Sequence, residues 1–189
     1  MRTLILSTAL LLAGCGDAAD VLGNAEDETV GNATTQTEAE GAAISSYGNG
    51  VITLESPDDV ATTVQRLEAA LEEAGFGIVA KLNHQENAGK VDLELPPATV
   101  IFFGKPEAGT PLMQEAPEAA LDLPQRMAVY AKDGATVIAY NDPAWLASRH
   151  GIVDQKDRLD AMSAALEGLA QVAAGNAPPA GDAATNEVQ

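Results

Sequence analysis

The sequence predicts an α+β domain of two layers, a mostly antiparallel sheet of about five strands with two long helices on one face. Three observations carry it. Val60, Val64, Leu67 and Leu71 repeat at 4-3-4 spacing, and Leu159, Met162, Leu166, Leu169 and Ala173 at 3-4-3-4, which are the stripes of two amphipathic helices. Several short runs rich in Val, Ile, Thr, Tyr and Phe lie between them. Two of these runs, Arg126–Ala131 and Thr136–Tyr140, are joined through Lys132-Asp133-Gly134, and Asp-Gly between alternating apolar residues marks a hairpin.

In chain order, Val51–Leu54 reads as a first strand, and Ser56 or Asp58 caps the first helix, which Gly75 ends. Ile78, Ala80, Leu82 and His84 alternate with Val79, Lys81 and Asn83, so the second strand is expected to turn one face to the core with His84 in register with it. Gln85–Lys90 is a turn or short helix, and Leu93–Pro97 is extended. Thr99–Phe103 is an unbroken β-branched and aromatic run, read as the central strand, covered on both faces. Gly104 and Pro106 stop it, and Thr110-Pro111 offers an N-cap and first position for a short helix. Asp142-Pro143 repeats that signature for a helix closed by Gly151, and the last helix runs from about Asp154 to Ala173.

Four segments follow: a signal peptide over 1–14, an acidic linker from Cys15 to residue 50, a folded domain over 51–173, and a polar tail over 174–189. The start pairs Arg2 with an apolar stretch too short to span a bilayer, and it ends Leu12-Ala13-Gly14-Cys15. Those four residues resemble the bacterial lipobox, in which the cysteine is lipid-modified and becomes the first residue. The alternative is an ordinary export signal with Cys15 incidental. Gly16 in place of Asp resembles the outer-membrane sorting pattern, so the expectation is a periplasm-facing lipoprotein of the outer membrane. Cys15 is the sole cysteine, so its lipidation leaves the body without thiol chemistry. Residues 16–50 hold seven acids and no Lys or Arg. Such a segment cannot offset its ordering entropy, and as a coil it spans about 30 Å. The net charge of −18 argues against nucleic acid, whose phosphates need clustered cations.

The order of the pieces resembles a family known as domain of unknown function 302. The matching residues are Val64–Leu71 with Gly75-Phe76, Lys81-Leu82-Asn83-His84 with Ala88, Phe102–Pro106, Gly109–Met113, Leu121–Arg126, and Tyr140–Pro143 with Leu146 and Arg149-His150. Asn83 departs from the pattern, since a second His is expected there. The resemblance implies a compact two-layer domain that pairs as a homodimer, and it implies no established activity.

Candidate site residues are His84, Phe103, Gly104, Arg126 and Tyr140, gathered near the end of the Thr99–Phe103 strand where a Gly/Pro loop leads into a helix. His84 is either a proton carrier, ligand contact or metal ligand, or a histidine at the core's edge bonded to backbone. Arg126 either clamps a carboxylate or phosphate, or pairs with one of nineteen acids between residues 51 and 173. Tyr140 and Trp145 either line a pocket or fill the core. Gly104, Lys105, Gly109 and Thr110 resemble an anion nest loosely. His84, Glu86 and His150 lack ligand spacing, so no metal and no cofactor are expected. There is no Walker spacing, Gly-x-Ser-x-Gly or His-Glu-x-x-His. The expected function is a binding module for an unknown small ligand or envelope protein. The alternatives are a small hydrolase or isomerase with His84 as base and Arg126 as anion clamp, or a purely structural envelope dimer.

Overall fold

The computed structural model describes residues 44–176; the signal peptide, Cys15, most of the acidic linker and the tail beyond residue 176 lie outside the described residues. The strands are β1 (Ser45–Tyr47), β2 (Val51–Ser56), β3 (Gly77–Asn83), β4 (Ala98–Gly104), β5 (Gln125–Lys132) and β6 (Ala135–Asn141). The helices are α1 (Val60–Glu73), α2 (His84–Gly89), α3 (Pro106–Glu115), α4 (Pro143–His150) and α5 (Lys156–Ala173), with a 3₁₀ turn at Pro117–Leu121. One antiparallel sheet runs β1-β2-β6-β5-β4-β3. The domain is therefore α+β with six strands. The sixth is β1, inside the stretch expected to be linker, because Ser45-Ser46-Tyr47 has no apolar alternation and forms only by pairing with Val51–Thr53.

Register fixes the two faces. Leu54, Ile138 and Val129 stand side by side across β2, β6 and β5, and Tyr140, Met127 and Ile101 across β6, β5 and β4; with Phe103 they pack on Leu67 and Leu71 of α1 and on Leu166, Leu169 and Ala173 of α5. Both long helices thus cover one face, as their stripes predict. Each fully buried Leu, Ile or Phe contributes about 1.5–3 kcal/mol relative to exposure. The other face carries Val100, Phe102, Ala128, Tyr130, Val137 and Ala139, most of them only half-buried. A second cluster joins Leu112, Ala116 and Ala119 to Leu146, Ala147, Ile152 and Leu159, fixing α3 and α4 to the start of α5. No helix among the described residues is long and apolar enough to cross a membrane.

Three local expectations are corrected. Asp59 caps α1, its Oδ1 accepting the Thr62 N–H at 2.7 Å, while Ser56 Oγ bonds Thr63 Oγ1 at 2.7 Å and Asp58 pairs with Arg66. The Thr99–Phe103 run is an inner strand, but it lies next to the edge strand β3, and β5 and β6 hold the middle. In β3 the register slips between Ile78 and Ala80, a bulge at Val79, so Ala80 and Leu82 turn to the second face beside Phe102 and Val100. Leu82 is 39% exposed, and the expected core face of this strand does not form.

Candidate functional site

A concavity of about 890 Å³ opens where β4 ends. Its walls come from four places in the chain, and each is set by a local rule. Gly75 in the left-handed region (φ 69°) ends α1, with Gly75 N–H donating to Glu72 O at 3.0 Å and Phe76 N–H to Leu71 O at 2.8 Å. This paired closure of the helix end aims Phe76 into the wall. Phe76 meets the buried Phe103 edge-on at 5.6 Å, and Lys105 Nζ sits 4.7 Å over the Phe76 ring.

The second wall is α3. Thr110-Pro111 does not start it; Pro106 does, with Lys105 at the N-cap and no side chain capping it. Pro106 already supplies a preset φ at the first position, so Gly109, Thr110 and Pro111 fall inside the helix. Pro111 has no N–H to give to the Glu107 carbonyl four residues back. Arg158 of α5 supplies the missing donor, its Nη1 bonding Glu107 O at 2.8 Å. Asp157, Arg158, Met162 and Leu166 form the third wall. The fourth is the approach to β5, Leu123, Pro124 and Gln125.

Gln125 is 6% exposed and its Nε2 has no hydrogen-bond partner. An unmade bond at a buried donor costs about 1–3 kcal/mol. Three residues earlier Asp122, also buried, is saturated. Its Oδ1 accepts from Arg126 Nη2 at 3.0 Å, and its Oδ2 lies 2.7 Å from His150 Nε2 and 3.1 Å from Arg149 Nη1. This cluster ties the end of α4 to the entrance of β5.

The sequence-predicted residues are therefore divided. Gly104 lines the pocket, and Phe103 backs its wall through Phe76. Arg126 faces away, in register with Phe102 on the second face, and its anion is supplied internally by Asp122. Tyr140 is buried in the main core, and burial first, then Glu167 and Asp142, raise its pKa above the ordinary tyrosine range. His84 stands at the opposite end of the sheet. Gly77 pairs with Gly104 but Asn83 pairs with Thr99, which places Asn83, with His84 beyond it, about 10 Å from Arg126 along the strands alone. Antiparallel pairing carries β3 away from the end of β4, and no pocket-lining residue joins His84 to Arg126. Asn83 caps α2, its Oδ1 accepting the Glu86 N–H at 3.1 Å, where a histidine could not accept in the same way.

Gln125 and Arg158 were not singled out by the sequence. Gln125 did leave a signal, since it shares the inward phase of β5 with Met127 and Val129 and is the one polar residue there. Arg158 left none, being one basic residue on the polar side of an amphipathic helix.

Comparison with known proteins places this geometry. A crystal structure of an uncharacterized conserved protein DUF302 from Bacillus stearothermophilus superposes with a TM-score of 0.60 at 20% identity, covering 66% of this chain and 98% of that one; it shows the shared fold. The fluoride-specific ion channels FluC 1 of Brucella suis biovar 1 (strain 1330) and of Brucella abortus biovar 1 (strain 9-941) are each 38% identical over 105 residues, or 55% of this chain. The chain spans only 41% and 39% of those proteins' lengths. The family model described as Domain of unknown function DUF302 matches residues 52–169, most of the sheet and all five helices but the last turn, and the chain belongs to that family.

Proposed function

We propose that this chain is a membrane-tethered binding module whose pocket at the end of β4 takes a small, largely apolar molecule. The observation that carries the reading is the pocket itself, of a size suited to a small ligand, with Gln125, whose buried Nε2 is unpaired, among its lining residues. Residues at the end of α1, the start of α3, the entrance of β5 and the middle of α5 converge on it, so it belongs to the packed framework and not to a loop. Saturable binding of the neutral dye Nile red to the full chain tests it. The dye is expected to bind, and Ala165→Phe, which fills the cavity from α5, is expected to abolish binding without altering the melting temperature by more than a few degrees. Equal binding by both proteins, or none by the wild type, overturns the reading.

The tether rests on the Leu12-Ala13-Gly14-Cys15 pattern. The Brucella relatives support a place beside a membrane, because the matched region there is under half of a protein named as an ion channel. Cys15→Ala is expected to release the chain from membranes; a variant that still pellets after a high-salt wash ends that part of the proposal. The homodimer implied by the family completes it, with the half-buried second sheet face as the surface two copies share. A purely monomeric sedimentation profile at high concentration removes the dimer.

A further inference from the structure

Resting on the pocket being a ligand site, we propose that its ligand is a carboxylate with an apolar body, the head bonded to Gln125 Nε2 and facing Lys105. Gln125 is the first residue of β5 and pairs with Phe103 across the ladder, and its side chain is buried among the residues that line the pocket. What it lacks is an acceptor, and the pocket side is where one can come from.

The groups around it favour an acceptor with negative charge. Lys105 and Arg158 are the cations of the lining and Asp157 is its carboxylate. Among the described residues Lys105 has no carboxylate partner, its ammonium resting on the Phe76 ring. Arg158 spends Nη1 on Glu107 O and Nε on Gln155 Oε1, which fixes its guanidinium at the pocket wall. The first turn of α3, uncapped by any side chain, brings its positive end to the same place. The excess is a single positive charge, which suits a carboxylate; a phosphate dianion would bring surplus charge close to Asp157. The remaining lining, including Met113, Leu123, Met162 and Leu166, demands an apolar body. In a chain of net charge −18 these few groups act at short range against the overall field.

Displacement of Nile red from the full chain by dodecanoate and by dodecanol, below their aggregation concentrations at neutral pH, tests the head group with the body held constant. Dodecanoate is expected to displace the dye at about tenfold lower concentration, the worth of one hydrogen bond to a charged group. Gln125→Leu is expected to bring the two within about threefold of each other. Gln125→Glu, which sets a carboxylate against the carboxylate, is expected to invert the preference. Equal displacement in the wild type, or a preference that survives both substitutions, overturns the carboxylate assignment and leaves the pocket standing. Failure of the dye to bind, or its indifference to Ala165→Phe, removes the pocket reading and this inference with it.

Discussion

Asp122 and Gln125 lie three residues apart, are equally buried, and differ in one respect: every oxygen of the first is engaged, and the amide nitrogen of the second is not. Asp122 draws Arg126, Arg149 and His150 together from β5 and α4. Its charge is answered from inside the fold, so it acts as a fastening. Gln125 is among the residues that line the pocket, and its buried Nε2 has a bond left to make. Of two buried polar residues at the entrance of β5, the unsatisfied one is where a ligand is to be sought, even though the saturated one is surrounded by more chemistry.

The difference can be broken most severely at Asp122. Asp122→Ala leaves the buried His150 and two half-exposed guanidinium groups without their common acceptor and is expected to cost about 3 kcal/mol in urea unfolding, toward the lower end for a broken buried pair because both arginines reach water. Gln125→Leu removes a polar group that has no partner, so it is expected to shift stability by less than about 1 kcal/mol, in either direction. Comparable losses in the two variants would mean that Gln125 is also a fastening.

A second variant probes the other hold on α4. Gly50 adopts φ 78°, and a Cβ there would lie 2.1 Å from Trp145 Cγ. Gly50→Ala is expected to cost about 2 kcal/mol through backbone strain and displacement of the indole, and to leave dye binding intact, since neither residue lines the pocket. Loss of binding would show that the pocket depends on α4.

The smallest effects follow pH. Asp59, with the Thr62 backbone N–H as the chief cause, and Glu115, with that of Val153, have carboxyls held below their ordinary values of 3.8 and 4.5. A depressed carboxylate binds fewer protons folded than unfolded, so its contribution is complete above pH 4.5 and is lost as acid titrates the folded form. Tyr140 has the opposite sign. Its raised pKa means that its contribution holds below pH 10 and is lost as alkali rises past that value. Among three tyrosines, one phenolate signal is expected to appear only with unfolding; three that titrate together in the folded state would contradict the burial of Tyr140.

The long helices, the β5–β6 hairpin and α4 were legible because each is coded locally. Asp133 at φ 52° and Gly134 at φ 85° form the left-handed turn that Asp-Gly announces, and Asp142, Pro143 and Gly151 act as cap, first position and stop. The end of β4 was legible for the same reason, through Gly104 and Pro106. Illegible features depend on partners distant in the chain. The bulge at Val79 reverses the phase of β3 and removes His84 from the expected core face, and no residue type there signals it. The start of α3 is shifted because Arg158, some fifty residues on, satisfies the carbonyl that Pro111 cannot. Arg126 was rightly seen as seeking an anion, but the partner, four residues back, was one acid among many.

Both margins of the sheet are closed to a newcomer strand. On one side β1 covers only three positions of β2, too short to template an addition. On the other, the Val79 bulge breaks the ladder of β3, and Lys81 bends inward to Glu68 of α1 at 2.7 Å, so an incoming backbone would meet a kink and a charge before it could zip. Such devices keep an exposed β margin from seeding fibrils. They also disfavour continuous sheet formation between copies of this chain.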